Sequence, residues 1–203
     1  MLTSYKTIKS ISEGLYKEKG SKFIALAMPV TNTDEVDDEI TAIKKQYHDA
    51  RHHCYAYVLD YDADVFRAND DGEPNHSAGD PILGQIKSFG LTNTLVVVIR
   101  YFGGTKLGVS GLINAYKSAT REALEKSSII TRIITKHLTL RFPYQSTNEA
   151  MKLVNDLDIK ITNQLFDNTC QLDGDIPVQN LELAVEKVKL LNNLGVEIIL
   201  IES

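Results

Sequence analysis

The stretch Asn93–Gly111, NTLVVVIRYFGGTKLGVSG, governs the reading of the whole chain. Leu95 to Ile99 is an unbroken, mostly β-branched apolar run, the pattern of a strand buried on both faces. Arg100, Tyr101 and Phe102 lead from it into Gly103-Gly104, and a short loop carries Lys106 and Gly108. A helix is predicted to start near Ser110–Gly111 and run to about Lys126. Its spacing buries Leu112, Ile113, Tyr116, Ala119, Ala123 and Leu124, and exposes Lys117, Arg121 and Glu125. A strand, a glycine loop and a helix start in that order have the geometry of an anion site. The glycines permit positive φ and close approach, and the helix start offers unpaired N–H groups at the positive end of a dipole. Arg100, Lys106, Lys117 and Arg121 are the cations expected to reach a phosphate there. Gly103, Gly104 and Gly108 shape the loop.

The charge distribution supports that emphasis. The chain of 203 residues has a net charge of −5, which alone disfavours nonspecific nucleic-acid binding. The charges are segregated, however. Residues 34–80 carry 13 acids and 4 bases, whereas residues 87–132 carry 7 bases and 2 acids. The glycine loop and its helix therefore lie in the most basic window. The alternative is that these are ordinary solvated helix charges. The N-terminus lacks an apolar signal segment, and no apolar run is long enough for a membrane span. With only two widely separated cysteines, Cys54 and Cys170, a reducing cytoplasm is the expected setting.

Upstream, residues 5–13 and 20–30 read as two strands of a hairpin turned through Gly14–Gly20. A helix follows at Thr33, the expected N-cap, with acids in its first turn and Lys44-Lys45 late. Val36, Ile40, Ile43 and Tyr47 mark its buried side. Residues 53–59 alternate as a strand, and Val65–Arg67 is a short one. Asp70-Asp71-Gly72-Glu73-Pro74 is turn chemistry. Pro81 suits the first turn of a helix to about Ser88. Residues 127–135 read as a strand or tight link.

A second unit is predicted from residue 134, giving domains 1–133 and 134–203. Leu138, Leu140 and Phe142 share one strand face. A helix over 146–157 starts at Ser146, with Glu149 placed for a capping box. Strands at 159–166 and 169–176 are joined by Asp167-Asn168, a helix spans Pro177–Asn192, and VEIILI is the last strand. The order β-α-β-β-α-β is the ferredoxin-like, split βαβ pattern. The fold class is therefore α+β with two domains. Phe142 belongs to a core row, so this acidic sheet lacks the aromatic face of an RNA-recognition module.

Val109 stands where a P-loop requires its lysine, and there is no G-x-G ahead of the helix. His48, His52, His53 and Cys54 have partial metal-ligand character, but His53 and Cys54 alternate in a strand and point to opposite faces. Asp70, Asp71 and Glu73 could hold a divalent ion or form a solvated turn. No metal and no cofactor is expected.

Three blocks resemble the IMPACT/YigZ family. Arg100-Tyr101-Phe102-Gly103-Gly104-Thr105-Lys106-Leu107-Gly108 is similar to its R-[FY]-[FY]-G-G-x-x-L-G signature. Ala50–Tyr57 resembles A-x-H-x-C-Y-A-Y. Asp70–Pro74 and Ala78–Leu83 resemble D-D-G-E-P and A-G-x-P-I-L. The resemblance marks His52, Cys54, Asp70, Asp71, Gly72, Glu73, Tyr101 and Phe102 as motif positions. It implies a ribosomal-protein or translation-factor-like N-terminal domain and an elongation-factor-like, ferredoxin-type C-terminal domain. It also implies a non-catalytic cytoplasmic protein of translation regulation that contacts RNA, the ribosome or translation factors, with no DNA sequence specificity. Arg51, His53, Asn75-His76 and Asp80 depart from the usual residues. Two alternatives remain open: an enzyme whose site joins His52, Cys54 and the Asp70–Glu73 turn, and a module that binds only protein.

Overall fold

A computed structural model of the chain describes residues 2–167 and 169–202. It resolves into two compact units, one spanning Ser4–Arg132 and the other beginning at Ile133. Thr3 belongs with the second, where its carbonyl accepts a hydrogen bond from the Ile134 N–H.

The first unit contains β1 (Ser4–Ile8), β2 (Ser12–Glu18), β3 (Ser21–Pro29), α1 (Thr33–Gln46), β4 (His52–Leu59), β5 (Val65–Asn69), α2 (Gly79–Ser88), β6 (Thr94–Tyr101), α3 (Gly108–Lys126) and all but the last residue of β7 (Ile129–Ile133). Five strands form one sheet in the order β2-β3-β6-β4-β5, every neighbouring pair antiparallel. β6 is its centre, and Leu95 to Ile99 are all fully buried. The reason is the period of two. Leu95, Val97 and Ile99 pack with Val36, Ile40 and Ile43 of α1. Val96 and Val98 pack with Ile82 and Ile86 of α2 and Leu112 and Tyr116 of α3. The sheet is thus covered on both faces, so a continuous apolar run replaces the alternation of a half-exposed strand. Burying each such side chain contributes about 1.5–3 kcal/mol.

Three local expectations are corrected. The first hairpin is β2–β3, turned at Lys19-Gly20. The segment before it splits, and β1 pairs with β7 instead. Gly14 is no turn residue: it lies inside β2, where a Cβ would stand 2.4 Å from the Ala119 carbonyl oxygen of α3. The α1 cap is Asn32, whose side chain accepts from the Glu35 N–H, so Thr33 is the first helical residue. In α3, which begins at Gly108, Ile113 is 37% exposed and Ala115 and Thr120 are buried in the core face.

The second unit contains β8 (Thr135–Pro143), α4 (Thr147–Asp156), β9 (Lys160–Leu165), β10 (Thr169–Pro177), α5 (Leu181–Asn193) and β11 (Ile199–Glu202). Its sheet order is β11-β8-β10-β9, antiparallel throughout, the arrangement of the split βαβ pattern. Leu138, Leu140 and Phe142 form one side of its core with Leu153, Val154, Ala184 and Val188 of the helices. The capping box at α4 does not form: Ser146 makes no side-chain cap bond. Thr147 donates its hydroxyl back to the Tyr144 carbonyl instead. Of the expected tight turn between β9 and β10, Asn168 lies outside the described residues. Both cysteines are free and buried. Among the described residues, no helix is long and apolar enough to cross a membrane.

Candidate anion cleft at the start of helix α3

Strand parity determines which side chains meet. Arg100 follows Val96 and Val98 onto the α2–α3 face of β6. Its strand neighbours in register are Phe23 on β3 and His52 on β4. Past Tyr101 the chain leaves the sheet, passes Gly103-Gly104 and enters α3 at Gly108. Gly103 has no room for a side chain, because a Cβ would fall 1.9 Å from the Gly20 carbonyl carbon. Gly104 and Gly108 have open space around them but φ of 87° and 75°, a region where an L side chain is strained.

The result is a cleft of about 450 Å³. Arg51, His52, Glu73 and Pro74 line one side. Arg100, Phe102, Lys106, Leu107, Gly108, Val109 and Leu112 complete it. Formal charges in it are three cations against one carboxylate. The first turn of α3 carries no acidic residue, and its N-cap position, Leu107, makes no side-chain hydrogen bond. By contrast, α1 has Asn32 and two acids. At α2, the Asp70 carboxylate accepts the N–H groups of Ala78 and Gly79.

Arg100 corrects an expectation: it is not a free phosphate contact. Its side chain is only 7% exposed, and Nη1 donates to Glu73 Oε1 at 2.5 Å. Tyr116 donates its hydroxyl to the same oxygen at 2.7 Å. Charge burial on this scale is tolerated only when paired and hydrogen-bonded. The guanidinium lies over the Phe23 and Phe102 rings, 5.4 and 5.6 Å from their centroids. Phe23 also holds the Tyr116 ring edge-on at 5.1 Å. Arg100 Nε is buried and has no partner among the described residues.

The remaining candidates divide. Lys106 and Lys117 are exposed and, among the described residues, in no ion pair. Lys117 lies nine positions beyond Gly108, about 13 Å along the helix, and does not line the cleft. Arg121 is likewise outside it and pairs with Glu125 at 2.7 Å. Tyr101 faces the α1 side, where its hydroxyl donates to Asp49 at 2.8 Å. Phe102 stands at the cleft, half exposed.

The motif residues named for an enzyme pack against one another, the Asp70–Glu73 turn lying on His52 and Cys54 of β4, but they do not all open onto the cleft. Only His52 and Glu73 line the cleft. Cys54 is fully buried, with Sγ 3.0 Å from the Asp70 carbonyl and 3.3 Å from the Tyr116 hydroxyl. Burial pushes its thiol pKa up, away from thiolate, and does the same to the Tyr116 phenol. Asp70 is spent on the amides of His76, Ala78 and Gly79. Asp71 accepts from the His53 N–H at 2.7 Å and faces Lys44 at 3.5 Å. His53 Nε2 lies 3.1 Å from the Tyr47 carbonyl. Gly72, at φ 84°, lies against the His52 ring. His52 Nδ1 is 2.8 Å from the Asp71 carbonyl. A carbonyl can only accept, so in the neutral ring Nδ1 carries the hydrogen and Nε2 is an acceptor. Arg51, Pro74, Val109 and Leu112 are cleft residues that the sequence did not single out as site residues. Arg51 had one available signal: it departs from the resembled motif beside His52.

Comparison with known proteins agrees with these blocks. The Impact N-terminal domain matches residues 19–124, which include the cleft and its loop. The chain is 42% identical over 132 residues to the IMPACT family member YvyE of Bacillus subtilis. That match covers 65% of this chain and 61% of YvyE, so it spans under two thirds of that relative. It is 31% identical over 147 residues to the IMPACT family member YigZ of Escherichia coli, covering 71% and 72%. A crystal structure of a hypothetical protein matches with a TM-score of 0.75 and 26% identity, covering 99% of this chain and 98% of that one. With the three sequence blocks brought together around one cleft, the chain belongs to the IMPACT family.

Proposed function

We propose that this chain is a cytoplasmic, non-catalytic protein of translation that binds RNA, free or on the ribosome, through backbone phosphates at the α3 cleft. The observation that carries the reading is the uncapped, acid-free start of α3 opening onto Lys106 and Arg51. Exposed helix N–H groups and a flexible lysine suit a phosphate, the helix through its partial positive charge and the lysine as a point charge. Lys117 extends the positive surface along the helix. Arg100 contributes from the floor, its charge shared with Glu73.

The test is RNA and ribosome binding measured across a salt series. Affinity is expected to fall as salt rises. Lys106→Gln should weaken binding to all RNA sequences alike and reduce the slope of log K against log salt by about 1. Arg51→Gln should do the same. Binding no stronger than that of an inert acidic protein, or a slope unchanged in both variants, would remove the proposal.

A further inference from the structure

The lining of the cleft is more than a phosphate site requires. Beside its cations it has an apolar wall of Pro74, Leu107, Val109 and Leu112, and an aromatic ring, Phe102, at its mouth. Phe102 and Val109 are 50% and 52% exposed. One region of the Phe102 ring is engaged by the Arg100 guanidinium, while half of the residue remains open to solvent. Arg100 itself is more than nine-tenths buried, lines the cleft and, among the described residues, keeps an unpartnered Nε. His52 adds a hydrogen-bond acceptor, since its Nδ1–H is taken by the Asp71 carbonyl and Nε2 has no partner among the described residues.

We infer that the cleft accepts one unpaired nucleotide of RNA, its base against Phe102 and its phosphate at the start of α3 with Lys106. This rests on the phosphate-binding reading above and narrows it to single-stranded RNA. The volume fits one small organic group, being within the roughly 300–1,000 Å³ of small-molecule pockets. A paired segment is excluded by chemistry as well as by size: inside a duplex the faces of the bases are already stacked, so none is free to cover an aromatic side chain. Stacking of unpaired bases on aromatic rings beside a cationic groove is how single strands are held. The His52 acceptor can take the hydrogen of a ribose 2′-hydroxyl, the group that distinguishes RNA from DNA.

The experiment uses the full chain and fluorescence anisotropy. The probes are a short labelled oligoadenylate, a blunt RNA duplex of the same length, and the matching oligodeoxyadenylate. The single strand is expected to bind about tenfold more tightly than the duplex, the size of one base–aromatic stack. Phe102→Ala should erase that preference and Phe102→Tyr should keep it. Because Phe102 is a half-exposed loop residue outside the core clusters, both variants are expected to fold. Lys106→Gln should weaken single strand and duplex together. Equal affinity for strand and duplex, or a preference that survives Phe102→Ala, would overturn the nucleotide site while leaving phosphate binding intact. RNA and DNA strands bound equally would overturn the His52 contact. Failure of every nucleic acid to bind would remove this inference and the phosphate reading together, and would favour a protein ligand for the cleft.

Discussion

Arg100 stands where two demands on one side chain conflict. Strand parity directs it to the packed side of the sheet, yet it borders a cleft suited to anions. The conflict is met by Glu73, which accepts from Arg100 and Tyr116 through one oxygen. A buried pair of this kind is weak evidence of net stabilisation, but removing one partner strands the other. Glu73→Ala is therefore expected to lower unfolding free energy by about 3–5 kcal/mol, read from urea denaturation. Tyr116→Phe, which removes one hydrogen bond to a charged group, should cost about 1.5–3 kcal/mol. The double variant Glu73→Leu/Arg100→Met should recover most of the loss, because matched apolar side chains carry no desolvation penalty. Recovery that does not appear would mean that the pair is held for the shape of the cleft, and that its residues are not exchangeable for volume alone.

The loop between β6 and α3 works through two different glycine requirements, and a pair of substitutions separates them. Gly104→Ala meets open space and pays only for its φ of 87°, about 1–2 kcal/mol. Gly103→Ala must displace the backbone of Gly20 and Ser21, which a Cβ would approach to 1.9 and 2.1 Å. It should destabilise the fold more than Gly104→Ala in the same denaturant series, and should disturb the β2–β3 turn as well as the loop. Equal losses would show that the turn yields. The same region shows what a sequence can and cannot disclose. β6 was legible because a run of five apolar residues has one cheap placement, at the centre of a doubly covered sheet. The ferredoxin-like order was legible because its turns and helix faces agree locally. Gly14 misled because its glycine is required by the backbone of α3, more than a hundred residues later. Asn32 and Thr33 are both competent caps, and only geometry chooses between them. The cleft was half legible. The glycine loop announced itself, but the pairing of Arg100 with His52 follows from the β4–β6 register, which local sequence does not state. The approach of Arg51, Pro74 and Glu73 depends on how the β5–α2 connection folds over, which no local pattern states.

For the molecule as a whole, the question is how a chain of net charge −5 would hold a polyanion. In the first unit the acidic first turns of α1 lie across the sheet from the cleft. α1, with exposed Asp34, Glu35, Asp37 and Asp38, covers one face. α3, with Lys106 before it and Lys117 upon it, covers the other. The single sheet lies between them, with a layer spacing of about 10 Å on either side, so the acids are roughly 20 Å from the cleft. At physiological ionic strength the screening length is about 8 Å, and at 0.01 M it is about 30 Å. The acidic helix should therefore repel an approaching RNA in dilute buffer and be nearly invisible to it in physiological salt. Asp37→Asn/Asp38→Asn, on the exposed side of α1, is expected to raise the RNA association rate several-fold at about 0.01 M salt and to leave it unchanged near 0.15 M. Lys106→Gln, acting at contact distance, should weaken binding at both. Stopped-flow association of a labelled RNA across the salt series measures the two together. An effect of the α1 variant that persists at high salt would put the RNA against α1, and would move the binding surface to the opposite face of the sheet.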